Sequence, residues 1–215
     1  MKRAGSLAGS IAAACGFAIT LAGCTVLAPQ PDPTRFFVLT SMRKNKANDD
    51  APAAAHANST LSIGVGPVKL PQYLRRPEVV TRTSPSEVTL SNTDRWAEPL
   101  ESAFTRVLSE NLSQLLGTQQ VMTFPWYNSN QLNYQVQVNV SRFETDPKGK
   151  PELDAQWSIR DGSGTKILAA RESAIVEPAN PADPSPSTGL SHALSSLSRE
   201  IAAQIVQLNH HRARG

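Results

Sequence analysis

Two stretches of the chain repeat apolar residues with a helical period, and several others alternate them with polar ones. Leu100, Phe104, Val107, Leu108, Leu112 and Leu115 fall on one helical face, and Gly117 is placed to stop the helix. Pro99 fits only a first turn, and Asn92 or Asp94 offers a capping side chain. The pattern therefore predicts a regular helix starting between residues 95 and 98. A second face is written by Leu190, Leu194, Leu197, Ile201, Ile205 and Leu208, followed by a polar tail at 210–215. Alternation is clearest where Val136, Val138 and Val140 are interleaved with Gln135, Gln137 and Asn139. It recurs where Leu153, Ala155, Trp157 and Ile159 are interleaved with Asp154, Gln156, Ser158 and Arg160.

The turns between the strands are equally plain. Asp146-Pro147-Lys148-Gly149 and Asp161-Gly162-Ser163-Gly164 are hairpin turns, which makes 120–177 a β-meander with a last strand near 165–176. Further strands are expected at 35–39, 61–68, 78–83 and 87–91, with Ser84-Pro85-Ser86 turning between the last two. Residues 41–60 form a long polar loop, and 178–186 with four prolines a linker. Strands, helix, strands, helix is an α+β order: an antiparallel β-sheet with two amphipathic helices packed on one face.

The N-terminus changes the picture of where this domain works. Lys2 and Arg3 precede an uncharged apolar run, and Leu21-Ala22-Gly23-Cys24 comes after it. A charged start, an apolar stretch and small residues before a cut site describe an export signal, and the run is short for a membrane span. Leu-Ala-Gly-Cys at this depth resembles the lipobox of bacterial lipoproteins. The expected organisation is a signal peptide at 1–23, a lipidated tether at 24–34 rich in proline, one periplasmic domain at 35–209, and the tail. Two or three acyl chains on Cys24 anchor stably where one alone does not. Thr25 rather than Asp after the cysteine favours the outer membrane, by resemblance to the enterobacterial sorting rule.

Composition then narrows the function. The full chain carries a formal +3, but Lys2 and Arg3 lie ahead of Cys24. From Cys24 onward 19 basic residues face 18 acidic ones, a net of +1. No basic stripe remains to neutralise phosphates, so nucleic acid is not an expected partner. Once Cys15 is removed with the signal, Cys24 is the sole cysteine, and lipidation accounts for it. The four histidines, His56, His192, His210 and His211, show no metal-site spacing. Gly162-Ser163-Gly164 lies between strands and is no nucleophile elbow. Gly64-Val65-Gly66 has neither a third glycine nor a following helix. The expectation is a non-enzyme with no metal and no cofactor beyond the covalent lipid.

Three clusters are rich in Arg, Pro and aromatic residues: Leu70-Pro71-Gln72-Tyr73-Leu74-Arg75-Arg76-Pro77, Asp94-Arg95-Trp96-Ala97-Glu98-Pro99-Leu100, and Phe124-Pro125-Trp126. One reading is structural, with Trp96 and Pro99 locking the helix start and Arg95 pairing with a carboxylate. The other is a docking surface, since Tyr, Trp and Arg are favoured at interfaces. On that reading the candidates are Tyr73, Leu74, Arg76, Pro77, Arg95, Trp96 and Glu98.

These clusters also carry a likeness. Ile63-Gly64-Val65-Gly66-Pro67-Val68, Leu70-Pro71, Tyr73-Leu74, Arg76-Pro77 and Val79-Val80-Thr81-Arg82 together resemble the characteristic block of the PqiC/YmbA family, the ABC-type transport auxiliary lipoproteins. Arg95 to Leu100 is similar to that family's helix start, and Phe124-Pro125-Trp126 to its next strand. Phe36-Phe37-Val38-Leu39 stands where the family has an aromatic pair ending in Leu. Glu78 departs from the neutral residue expected after Pro77. The resemblance is close over about residues 35–126. It implies a periplasm-facing lipoprotein, usually of the outer membrane, that works without catalysis beside an MCE-domain protein in moving lipids or other hydrophobic molecules. It is also compatible with self-association. An outer-membrane β-barrel assembly or scaffold lipoprotein is the alternative. A periplasmic hydrolase is disfavoured by the lack of a nucleophile–His–acid set.

Overall fold

The computed structural model describes residues 31–42, 61–126 and 131–212. The chain divides after Pro33, and the folded domain is the unit Thr34–Gly215. Cys24, the export signal, most of the 41–60 loop with His56, and the last three residues lie outside the described residues.

The unit contains strands β1 (Arg35–Phe37), β2 (Ile63–Lys69), β3 (Glu78–Ser84) and β4 (Glu87–Trp96), then helix α1 (Leu100–Leu116). Next come strands β5 (Val121–Thr123), β6 (Tyr134–Thr145), β7 (Pro151–Asp161) and β8 (Ile167–Val176), and helix α2 (Pro186–Arg212) closes the unit. The α+β class is as the pattern predicts. The strands form one eight-stranded sheet that is mixed rather than wholly antiparallel. β6, β7 and β8 are the expected antiparallel meander, and β3 and β4 an antiparallel hairpin. β2 instead runs parallel to both β5 and β6, and β1 parallel to β4. The reason is the connection. Between β2 and β5 the chain passes through β3, β4 and α1, so it comes back to the sheet pointing the same way, as parallel pairing requires. β5 therefore belongs beside β2 and not to the meander.

The core lies between the sheet and both helices. Phe104 of α1 meets Phe143 of β6 edge to face, with ring centroids 5.2 Å apart. On the same side of the sheet, Trp157 of β7 donates its Nε1–H to Ser173 of β8, which in turn donates to Glu200 of α2. The alternating valines of β6 point inward as expected. A register shift between Val140 and Arg142 then moves Phe143, not Arg142, to the inner face. Asn111 of α1 ties three pieces together, donating to Ser198 of α2 and accepting from the backbone N–H of Met42.

The helix boundaries correct the sequence reading. β4 does not stop at Ser91 but runs to Trp96, and α1 starts at Leu100 with Pro99 in the capping position. Asn92 and Asp94 lie on the strand, and Asp94 pairs with Arg35 across to β1. β1 extends the sheet there, which holds residues 94–96 in strand geometry and delays the helix. The far end is as expected, with Gly117 in the left-handed region and its N–H bonded to the Ser113 carbonyl. Leu115 packs half-buried against the core as expected, and Leu116 beside it is buried. α2 is longer than the pattern implied and keeps His210, His211 and Arg212 in its last turn.

Candidate functional site

The two longest motifs meet. After β2 the chain makes a short 3-10 turn at Gln72–Leu74, and Leu74 is buried beneath it. The backbone N–H of Trp96 then donates to the Pro77 carbonyl at 2.7 Å, which brings the end of β4 against this turn. Arg75 fixes the junction from the other side, pairing with Glu101 of α1 at 2.9 Å while its Nε donates to the Leu70 carbonyl. Arg75, Arg76 and Pro77 on one wall and Trp96 to Ser102 on the other enclose a cleft of about 460 Å3. Trp96 and Leu100 form its buried floor, while Arg76, Pro77, Ala97 and Pro99 stand exposed at its rim.

The seven candidate residues fall into distinct roles. Arg76 and Pro77 are exposed, and Arg76 makes no ion pair among the described residues. Glu98 bonds Arg106 of α1 at 2.6 Å, and Arg106 also reaches Glu110 and the Leu39 carbonyl. The hydrogen bond that Arg106 donates to Glu98 is the main reason the Arg106 pKa is raised, against the opposing effect of burial. Arg95 donates to the carbonyls of Ser91 and Asn92 and lies 3.9 Å from Glu78. Trp96 is only 6% exposed. Leu74 thus packs beneath the turn, Trp96 builds the cleft floor, and Arg95 braces the end of β4.

Tyr73 belongs to a network that sequence reasoning missed. Its hydroxyl donates to Glu144 Oε2 at 2.9 Å, and Arg82 Nε donates to Glu144 Oε1 at 2.5 Å. Arg82 also donates to the Tyr73 hydroxyl at 3.1 Å and lies over its ring. Glu144 is 1% exposed. Burial first, then the negative charge and hydrogen bond of Glu144, push the Tyr73 pKa up to about 12. For Arg82, burial works downward and is outweighed by Glu144, so its pKa is raised. The one sequence signal for this cluster is the break in alternation at Ser141-Arg142-Phe143-Glu144, which marks the bulge that turns Glu144 towards β3.

Two other hollows carry neither motif. A larger one, about 680 Å3, lies on the sheet face away from the helices and is lined by polar Lys69, Gln137, Asn139, Gln156 and Glu172. Another holds His192 with Ser196 and Asp183 near the start of α2. Ser196 donates to Glu177 there, at 2.6 Å, which is not a relay through the imidazole. Among the described residues no cluster of His, Cys, Asp or Glu is arranged to hold a metal, and no helix is long and apolar enough to cross a membrane.

Residues 46–206 match the family of the ABC-type transport auxiliary lipoprotein component. The chain belongs to this family. It is thus a transport auxiliary lipoprotein, and the family is one of transport components rather than of enzymes. Both motifs of the cleft lie inside the matched span. No curated protein matches the chain. The crystal structure of an uncharacterized protein is similar at 21% identity and TM-score 0.63, covering 80% of this chain and 98% of that one. A Xanthomonas campestris protein of the DUF330 family is similar at 15% identity and TM-score 0.64, covering 84% of this chain and all of the other. At such identities the likeness establishes the fold. A PelC dodecamer from Paraburkholderia phytofirmans is more distant, with 14% identity and TM-score 0.39 over 70% of this chain and 91% of that one.

Proposed function

We propose that this auxiliary lipoprotein is anchored through Cys24 to the periplasmic face of the outer membrane, and that it docks the far end of an MCE-domain tunnel there. The observation that carries the reading is the meeting of Arg75-to-Pro77 and Trp96-to-Ser102 around one cleft. A fold needs neither a free arginine nor two exposed prolines at the rim of an apolar-floored groove. A docking surface uses such a combination, with aromatic and aliphatic groups giving a dry floor and arginine giving direction. Family membership supports the transport setting, and the Leu-Ala-Gly-Cys-Thr sequence supports the anchor and its membrane. In this role the protein supplies attachment and alignment, and cargo passes through the partner.

The test is recovery of partners from crosslinked membranes with wild type and with Arg76→Glu. Arg76 is exposed, so the variant keeps its fold. Wild type is expected to bring down an MCE-domain protein and Arg76→Glu to lose most of it. Recovery of a β-barrel in place of an MCE protein would move the chain to the assembly-factor class. Equal recovery by both proteins would remove the cleft from the docking surface.

A further inference from the structure

The chain enters its folded unit at an exposed apolar edge. Phe36 is 68% exposed and is the most exposed large apolar residue described; Val38, two positions on, is 47% exposed. Two residues apart on an extended segment, they point to the same side. Phe37 between them packs against the core and Leu39 is fully buried, so the segment is fixed in place and its outward side is set. Fixing is thorough: β1 pairs with β4, the Ala97 N–H donates to the Phe37 carbonyl, Arg106 donates to the Leu39 carbonyl, and the Thr40 N–H donates to Ser191. An unfavourable exposure of two apolar side chains is thus held rigidly at the point where the tether begins.

Chain length says what lies near. Twelve residue steps separate Cys24 from Phe36, which reach roughly 40 Å when fully extended and much less when not. The charges around the edge nearly cancel: Arg35 pairs with Asp94, Arg75 with Glu101, and Arg106 with both Glu98 and Glu110, Arg95 faces Glu78, and Arg76 offsets the extra carboxylate. A strongly basic surface would point to electrostatic attraction. This one has an apolar tip on a nearly neutral ground, the composition suited to the interfacial region of a phospholipid bilayer.

We infer that Phe36 and Val38 insert into the phospholipid surface that holds the lipid anchor, seating the β1 edge of the sheet on the membrane and fixing the domain's orientation. The inference rests on the lipid anchor of the proposed function. It adds a second, non-covalent contact, one that aligns the cleft beside β4 relative to the membrane. The acyl chains decide whether the protein is bound; Phe36 and Val38 decide which way it faces.

Full-length protein, expressed in a host that lipidates it, offers a direct test. With Cys24 acylated, Phe36→Cys introduces the one free thiol, which takes an environment-sensitive nitrobenzoxadiazole label. Ile167→Cys, at a residue 52% exposed on β8 at another edge of the sheet, is the reference. Both are reconstituted on vesicles of phosphatidylethanolamine and phosphatidylglycerol, with or without bromine on the acyl chains. The expected result is a blue-shifted label at residue 36, quenched at least twofold by brominated lipid and unchanged by high salt, with the label at 167 unquenched. Equal, water-like emission at both positions on vesicles that carry the protein overturns the seat and leaves the anchor standing. Protein that fails to float with vesicles overturns both. A blue shift at 36 without bromine quenching means a second copy covers the edge, and also overturns the inference.

Discussion

The meander half of the sheet and the motif half are held by different means. β6, β7 and β8 pair along their lengths and press Phe143, Leu153, Trp157 and Ile159 onto the helices, so that half is held by apolar burial. β3 touches β6 through one backbone pair, Thr81 with Thr145. There the joint is made by Glu144 with Tyr73, Arg82 and the nearby Arg142, and the cleft beside it by Arg75 with Glu101. Apolar packing adjusts by small shifts, whereas a buried carboxylate with several donors admits one arrangement. The motif residues accordingly divide: some set the shape of the cleft and a few remain free to meet a partner.

Removing Glu144 puts this contrast under the greatest stress. Glu144→Ala strands the Arg82 charge and the Tyr73 hydroxyl, and is expected to cost about 3–5 kcal/mol in urea unfolding. Replacing Arg82 by Met and Tyr73 by Phe in the same chain should restore a large part of that loss, because the stranded groups go with it. Leu153→Ala in the meander should cost about 2–5 kcal/mol, and those two replacements should not rescue it. If they rescue both variants alike, the halves are not held differently.

Next in size is the division within the motifs. Trp96→Ala is expected to lose about 3–5 kcal/mol, since a nearly buried ring leaves a void in the cleft floor. Arg76→Glu on the rim should stay within about 0.5 kcal/mol of wild type by thermal unfolding, and yet lose the partner. A Trp96→Ala variant as stable as wild type would return that residue to the docking surface.

The alternation of β6 to β8, the stripes of α1 and α2 and the two hairpin turns were legible in the sequence because each is a local rule: period two, period 3.6, and glycine where the chain must turn. The parallel pairing of β2 was not, because direction depends on the route of the chain through α1. Nor was the late start of α1, since β1 reaches across sequence to keep residues 94–96 extended. At the site, the sequence named Arg76, Pro77 and the surrounding motifs as one class. It could not sort Leu74 and Trp96 into the interior, it named Arg82 only as part of the family block, and it left out Arg106 and Glu144, whose partners are distant along the chain.

A smaller effect probes the network through pH. Tyr73 has its pKa raised from 10 to about 12, so folding favours its protonated form. Its contribution is fully present below pH 10 and is lost as pH rises through about 12. Wild type should therefore lose stability in that window relative to Tyr73→Phe, by no more than about 1 kcal/mol, because solvent screens the partly buried ring. Curves that stay parallel from about pH 9 upward, within the reach of denaturant titration, would count against the Tyr73–Glu144 bond.

The smallest expected change lies in the meander, at the β6–β7 turn. Gly149 has φ of +76° with open space where a Cβ would go. Gly149→Ala should cost about 1 kcal/mol from backbone conformation alone. A much larger loss, measured by urea unfolding, would show a contact there that the structure lacks.

Docking through the cleft is tested most directly by site-specific photocrosslinking in living cells. A photoreactive amino acid is placed at residue 76 on the cleft rim or at residue 172 on the open polar face of the sheet. Cleft docking predicts an adduct with an MCE-domain protein from residue 76 and none from residue 172. An MCE adduct from 172 alone, or a β-barrel as the sole adduct from 76, would contradict it.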